Sequence, residues 1–153
     1  MPHIHDLIDF TVVAYIVHDH KILLVDHKKS KAWLPIGGHI ELNEDPDEAL
    51  AREIKEECGL EVEMLGERPN FKDPNTKPLL TPNFVDIHSI DEKHRHVGLM
   101  YFAKAKSDKV TLAEKEHNAI RWFSREDLHD PKYNLKPQVI FYAEKALQQI
   151  KES

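Results

Sequence analysis

The sequence predicts an α+β fold, a sandwich of mixed strands and two main helices, in a single domain spanning residues 1–153. Three observations carry that prediction. Short apolar runs rich in β-branched residues alternate with polar turn signals. Two segments carry helix-start chemistry followed by apolar residues at helical spacing. The length suits one domain with a sound core.

Residues 10–17 are apolar and β-branched and read as a buried strand. His18, Asp19 and His20 make a polar turn, and residues 22–25 return as a second strand, so the two form a hairpin. Lys28, Lys29, Ser30 and Lys31 form a charged loop. The run from Trp33 to the pair Gly37 and Gly38 suggests a tight backbone turn or a close approach to a ligand. A helix follows over residues 46–57. Asp45 is its N-cap, Pro46 takes the first helical position, Glu48 completes a capping box, and Gly59 ends it in the left-handed conformation. Leu50 and Ile54 mark its buried stripe. Residues 61–65 read as a strand. Residues 66–82, with Pro69, Pro74, Pro78 and Pro82, read as a long loop of the kind that is usually functional or mobile. Residues 83–90 and 94–105 are two strands around a turn, and residues 119–123 are another. Ser124 and Asp127 form a second capping box. Pro137 opens the last helix, with Val139, Ile140, Ala143, Leu147 and Ile150 along one face.

The composition narrows the function. With 31% charged and 41% hydrophobic residues the chain reads as soluble and globular, and no apolar run is long enough for a membrane span. The first residues lack the basic-then-apolar pattern of a signal peptide, and the single cysteine, Cys58, allows no internal disulfide, so a cytoplasmic location is expected. A net charge of −6 argues against long nucleic acid as a partner. An acidic protein that handles a phosphate ester needs a cation between the two.

Glu53, Glu56 and Glu57 stand at i, i+3 and i+4 and project from one side of the predicted helix. They lie in its last turns, where the macrodipole disfavours each carboxylate by roughly 0.3–1 kcal/mol. A bound cation reverses that sign, and oxygen ligands favour Mg²⁺, Mn²⁺ or Ca²⁺ over Zn²⁺. The alternative is a solvated acidic face partly neutralised by Arg52 and Lys55.

The surrounding residues decide between the two. From Gly38 the chain reads Gly38, five residues, Glu44, seven residues, then Arg52-Glu53-Ile54-Lys55-Glu56-Glu57-Cys58-Gly59-Leu60. This matches G-x5-E-x7-R-E-U-x-E-E-x-G-U, with U apolar, at every fixed position. At roughly one in twenty per residue type, its seven identities arise by chance about once per billion start positions. The segment resembles the loop–helix–loop site of the Nudix hydrolase family. The resemblance implies an α/β/α sandwich around a mixed sheet and Mg²⁺-dependent hydrolysis of a nucleoside diphosphate linked to another group, with Mn²⁺ as a substitute metal. It implies Glu56 and Glu57 as metal ligands, Glu53 as ligand or general base, the Gly37 carbonyl as a further ligand, Arg52 as the residue that holds the glutamates, and Gly38 and Glu44 as supporting residues. It leaves a homodimer open. Because the base lies outside the box in some members, Glu114 and Glu116 are further candidates. A non-catalytic nucleotide sensor on the same fold is the rival reading; such modules often lose a box glutamate, and this chain has all of them. RNA decapping needs a basic groove that the net charge argues against. Isomerases of isopentenyl diphosphate use a cysteine, but Cys58 occupies a non-fixed position and reads as packing.

Trp33 and Phe71 are candidates to stack on a base, with core packing the stronger reading for Trp33. Arg68 reads as solvated or as a phosphate contact. Asp86 and His88 alternate on one strand, and His94 and His96 at the start of the next. The four could form a polar wall, a phosphate contact or a second metal site, or simply the polar outer face of a sheet.

Overall fold

The computed structural model describes residues 7–152; the opening segment in which no signal peptide was expected lies outside the described residues. The chain runs β1 (Ile8–His18), β2 (Lys21–His27), β3 (Ala32–Leu34), β4 (Ile36–His39), α1 (Pro46–Glu57), β5 (Val62–Leu65), β6 (Phe84–Ser89), β7 (Arg95–Ala105), β8 (His117–Phe123), α2 (Arg125–Leu128) and α3 (Pro137–Gln149), with a 3-10 turn at Pro131–Tyr133. The strands form one mixed sheet in the order β3-β2-β1-β7-β5, with β4 also on β1, β6 on β7 and β8 on β2. β1 and β7 pair in parallel from Ile8↔Arg95 to Val17↔Lys104.

Alternation along the central strands builds two cores. Val12, Ala14 and Ile16 of β1 and Tyr101 and Ala103 of β7 face α1, meeting Ala49, Leu50, Ile54 and Cys58. Tyr15 and Val17 of β1 and Met100 and Phe102 of β7 face α3, meeting Val139, Tyr142, Ala143 and Ala146. The result is an α/β/α sandwich. No described helix is long and apolar enough to cross a membrane.

Local chemistry sets the ends of α1. The Glu48 amide donates to Asp45 at 2.9 Å, and the Asp45 amide donates to Glu48 at 3.1 Å. Gly59, at φ +68°, turns the chain out of the helix. The long loop over residues 66–82 is tied to this helix start: Arg68 and Lys77 pair with Asp47 and Asp45 at 2.6 Å each. Lys77 and the Glu48 amide hold the Asp45 carboxyl down to about 2. On α3, Tyr142 and Ala146 are buried with Val139, Ala143 and Ile150, whereas Ile140 and Leu147 sit at the edge of the expected stripe.

One expectation is corrected. The stretch containing Trp33, Gly37 and Gly38 is two strands, not a tight turn. The β1–β2 hairpin pairs only at Val17↔Ile22 and His18↔Lys21, after which β2 diverges to β8 and β3. β4 pairs with β1 over the stretch that β2 leaves, from Thr11↔His39 to Ala14↔Ile36. The glycines serve a close approach there. A Cβ on Gly37 would lie 2.4 Å from the Val12 carbonyl oxygen, and one on Gly38 would lie 2.2 Å from Glu53 Oε1.

Candidate active site

α1 carries its glutamates against β4 and the start of β8, and Arg52 organises them. Its Nε and Nη2 donate to the two oxygens of Glu44 at 2.7 and 3.0 Å, a bidentate pair. Nη1 donates to Glu53 Oε1 at 2.9 Å and to Glu56 Oε2 at 3.3 Å. Nη2 also donates to the His39 carbonyl at 3.0 Å, which ties the helix to β4. Arg52 holds the Glu44 carboxyl below its ordinary range. One guanidinium thus faces Glu44, Glu53 and Glu56.

Glu57 is held differently. Its side chain is 3% exposed. Oε1 accepts from the Gly37 amide at 3.2 Å, and Oε2 lies 2.6 Å from His117 Nε2. Burial first, then the neighbouring Glu53 carboxyl, push Glu57 up to about 9. His117 is also fully buried, and burial and His27 push its imidazole below the usual range. Both groups are thus held toward their neutral forms across a short contact, and His117 Nδ1 is buried without a partner among the described residues. Glu116 stands at the mouth, mostly exposed, with a carboxylate oxygen 3.9 Å from His117 Nε2.

The carboxylate oxygens of Glu57 and Glu116 suit a hard divalent cation, and His117 adds one nitrogen beside them. Glu57, Glu116 and His117 each offer a ligand atom within 4.8 Å of the others. A carboxyl that burial and a like neighbour force to keep its proton is one from which a cation can displace that proton.

The other candidates fall in several places. Gly37 meets the site through its amide, on Glu57. Gly38 lies under Glu53. Trp33 lies on the α3 side of the sheet, with its ring edge-on to Phe123 and Tyr133. Phe71 is exposed in the long loop, where Arg68 is engaged by Asp47 and the Pro78 carbonyl. Glu114 meets Lys28 through its backbone carbonyl. Cys58 is buried in the core, with its thiol pushed up to about 11 by burial. His94 and His96 lie with Asp9 and His39, away from the glutamates. Sequence reasoning missed His117. It started β8 at Ala119, two residues late, and so left this histidine in a loop. The adjacent Glu116 was already a candidate, and its histidine neighbour was the available signal.

Comparison with known proteins gives a consistent family. A profile of the NUDIX domain matches residues 8–143. The crystal structure of a NUDIX-family hydrolase from Clostridium perfringens superposes with a TM-score of 0.80 at 34% identity, covering 94% of this chain and 98% of that one. A MutT NUDIX hydrolase from Burkholderia pseudomallei gives 0.66 at 25%, covering 95% and 100%. Among curated proteins, a probable DHNTP pyrophosphohydrolase from Lactococcus lactis is 27% identical over 105 residues, 66% of this chain and 57% of that protein. An NAD-capped RNA hydrolase from Haemophilus influenzae is 25% identical over 119 residues, 74% of this chain and 38% of that protein. The chain thus spans about half the length, or less, of these curated relatives.

Proposed function

The chain belongs to the Nudix hydrolase family, and on that premise we propose that it cleaves the diphosphate bond of a nucleoside diphosphate linked to another group, with Mg²⁺ as cofactor. The observation that carries this reading is the pair of carboxyls on α1, Glu53 and Glu57, crowded and desolvated beside an arginine that is already shared among Glu44, Glu53 and Glu56.

Glu53, Glu56 and Glu57 would hold the cation, with Mn²⁺ able to replace it. When bound, Mg²⁺ neutralises charge on the diphosphate oxygens and lowers the pKa of a coordinated water. The protein supplies the rest. Arg52 fixes the orientation of Glu53 and Glu56 and anchors both to β4 through the His39 carbonyl. His117 and the Gly37 amide fix the two oxygens of Glu57, so its carboxylate cannot rotate away. A carboxylate must accept the proton of the attacking water. Glu53 or the exposed Glu116 would take that proton in this reading, which their nearness to Glu57 and His117 supports. The water oxygen forms a bond to one phosphorus, the bridging P–O bond breaks, and the two phosphate-bearing halves leave, as two monophosphates from ADP-ribose or a nucleotide sugar and as a monophosphate and pyrophosphate from a triphosphate. The complete set of box glutamates favours this over a binding-only sensor.

The test is a hydrolysis screen with Mg²⁺ over nucleoside triphosphates, ADP-ribose, nucleotide sugars and dinucleoside polyphosphates, plus DHNTP and NAD-capped RNA for the two curated relatives. Glu56→Gln serves as control. Cleavage of one compound, lost in the control, is the expected result. Intact compounds throughout, with Mg²⁺ and with Mn²⁺, accompanied by tight binding of one of them, would move the chain to the sensor reading.

A further inference from the structure

A second cluster of ligand-type side chains lies on the α3 face of the sheet. On β1, Asp9 falls in the alternation of Tyr15, and on β7, His96 falls in that of Phe102; both of those residues pack in the core on the α3 side. Asp9 and His96 are direct register partners. His39 comes from β4, and His94 from the turn that enters β7. Three segments distant in sequence, β1, β4 and the start of β7, thus deliver three imidazoles and one carboxylate to one point.

The spacing there is close. Asp9, His39, His94 and His96 each offer one ligand atom, and all four atoms lie within 4.8 Å of one another. His39 Nε2 is 3.2 Å from His96 Nε2. Asp9 Oδ2 is 3.4 Å from His39 Nε2 and 2.8 Å from His94 Nε2. An ion bound tetrahedrally at 2.0–2.1 Å has ligand atoms about 3.3 Å apart. The His96 ring stands nearly perpendicular to those of His39 and His94, at 85° and 88°. The rings thus do not stack, and each keeps a ligand atom within 4.8 Å of the others. Burial first, and then the neighbouring His39, His88 and His94 imidazoles, also push His96 below its ordinary range. With the side chains of Asp9 and His39 41% and 56% exposed, an ion can enter from solvent.

We propose that Asp9, His39, His94 and His96 form a transition-metal site, of a kind suited to Zn²⁺, distinct from the carboxylate centre on α1. The ligand chemistry separates the two. Imidazole nitrogens favour Zn²⁺ and its neighbours in the transition series, whereas an all-oxygen set suits Mg²⁺. Behind the site, His88 bonds Asp86 at 2.9 Å and Tyr142 donates to Asp86 at 2.7 Å. This relay packs the His88 ring against His96, with centroids 5.7 Å apart. His39 belongs to both regions, with its ring in this cluster and its carbonyl on Arg52. For that reason the test reads binding and not activity.

The full chain, without an affinity tag and stripped with a chelator, is titrated with Co²⁺ in excess Mg²⁺, and visible absorption reports coordination geometry. One Co²⁺ per chain with the intense absorption of a tetrahedral centre, displaced by Zn²⁺, is expected. His96→Ala and the isosteric Asp9→Asn should each weaken binding at least about 10-fold, because loss of a direct ligand costs no less than loss of its outer partner. Glu56→Gln should leave it unchanged. Far-ultraviolet circular dichroism of the metal-free variants checks that they fold, and Asp9→Asn carries the test if His96→Ala does not. Absence of a tetrahedral spectrum, or binding that survives both substitutions or is lost in a His3→Ala/His5→Ala chain alone, would overturn the proposal.

Discussion

The two faces of the sheet solve opposite electrostatic problems. On the α1 face, carboxylates are packed until one of them, Glu57, is forced to keep a proton up to about pH 9. On the α3 face, imidazoles are packed until His96 is discouraged from taking one. Burial first, and the crowding of like groups second, disfavours the charged form in both cases. The donors differ, mainly oxygens on one face and mainly nitrogens on the other, so the faces should select different ions. Both faces meet at β4. Its glycines let Glu53 and β1 approach, while His39 at its end points its ring to the far side.

The largest effect should come from Glu57→Gln. It removes the carboxyl that would ionise on a bound cation and keeps the side-chain shape. Turnover with saturating Mg²⁺ should fall by about 100-fold or more, the order of cost for removing one electrostatic partner of a transition state. The fold and the Co²⁺ spectrum of the other face should survive. Equal turnover in steady-state assays would sink the assignment of Glu57.

Arg52→Lys comes next. Lysine keeps the charge but cannot make the bidentate bond to Glu44 while also reaching Glu53, Glu56 and the His39 carbonyl. Activity should drop by roughly 10–100-fold, the range for an outer partner of a metal ligand. A rise in the Mg²⁺ concentration needed for half-maximal rate would show that the ligands have lost their orientation.

A smaller effect concerns pH. The folded-state value of Glu57, about 9, lies above its ordinary 4.5, so the native chain holds a proton that the unfolded chain releases across that window. The stability this proton supplies is full below about pH 4.5 and is lost as pH rises toward about 9. Melting temperatures of the metal-free protein should therefore decline from about pH 6.5 toward about 9, because below 6.5 the opposite shift of buried His117 offsets the trend, and the stabilisation by Mg²⁺ should grow over the same range. Glu57→Gln should flatten both trends. A metal-free melting temperature that climbs through the same window in wild type but not in Glu57→Gln would contradict the assignment.

The α1 face was legible because its parts are contiguous. A single loop and helix over residues 38–60 carry Arg52 and the box glutamates, and Asp45, Pro46 and Gly59 fix the helix ends by chemistry that depends only on neighbours. The α3 face was legible only in part. Alternation paired Asp86 with His88 and His94 with His96, and the strand pairing does set His88 opposite His96. Asp9 and His39 could not be foreseen as members, because they arrive through the parallel β1–β7 register and the β4 insertion, both tertiary facts. His117 was hidden for a related reason: β8 pairs with β2 through an irregularity at Asp26 and His27, which extends the strand beyond its apolar run. Trp33 illustrates the converse. Its aromatic partners, Phe123 and Tyr133, lie about a hundred residues away, and no local pattern announces them.

The most direct test of the central claim is a phosphorus NMR time course of the wild-type chain with the compounds of the panel, run with Mg²⁺ and again with the metal chelated. The resonances of one compound should give way to those of its two hydrolysis products, two monophosphates or a monophosphate and pyrophosphate, only when Mg²⁺ is present. Spectra that stay unchanged for every compound with the metal supplied, or cleavage that proceeds equally after chelation, would contradict it.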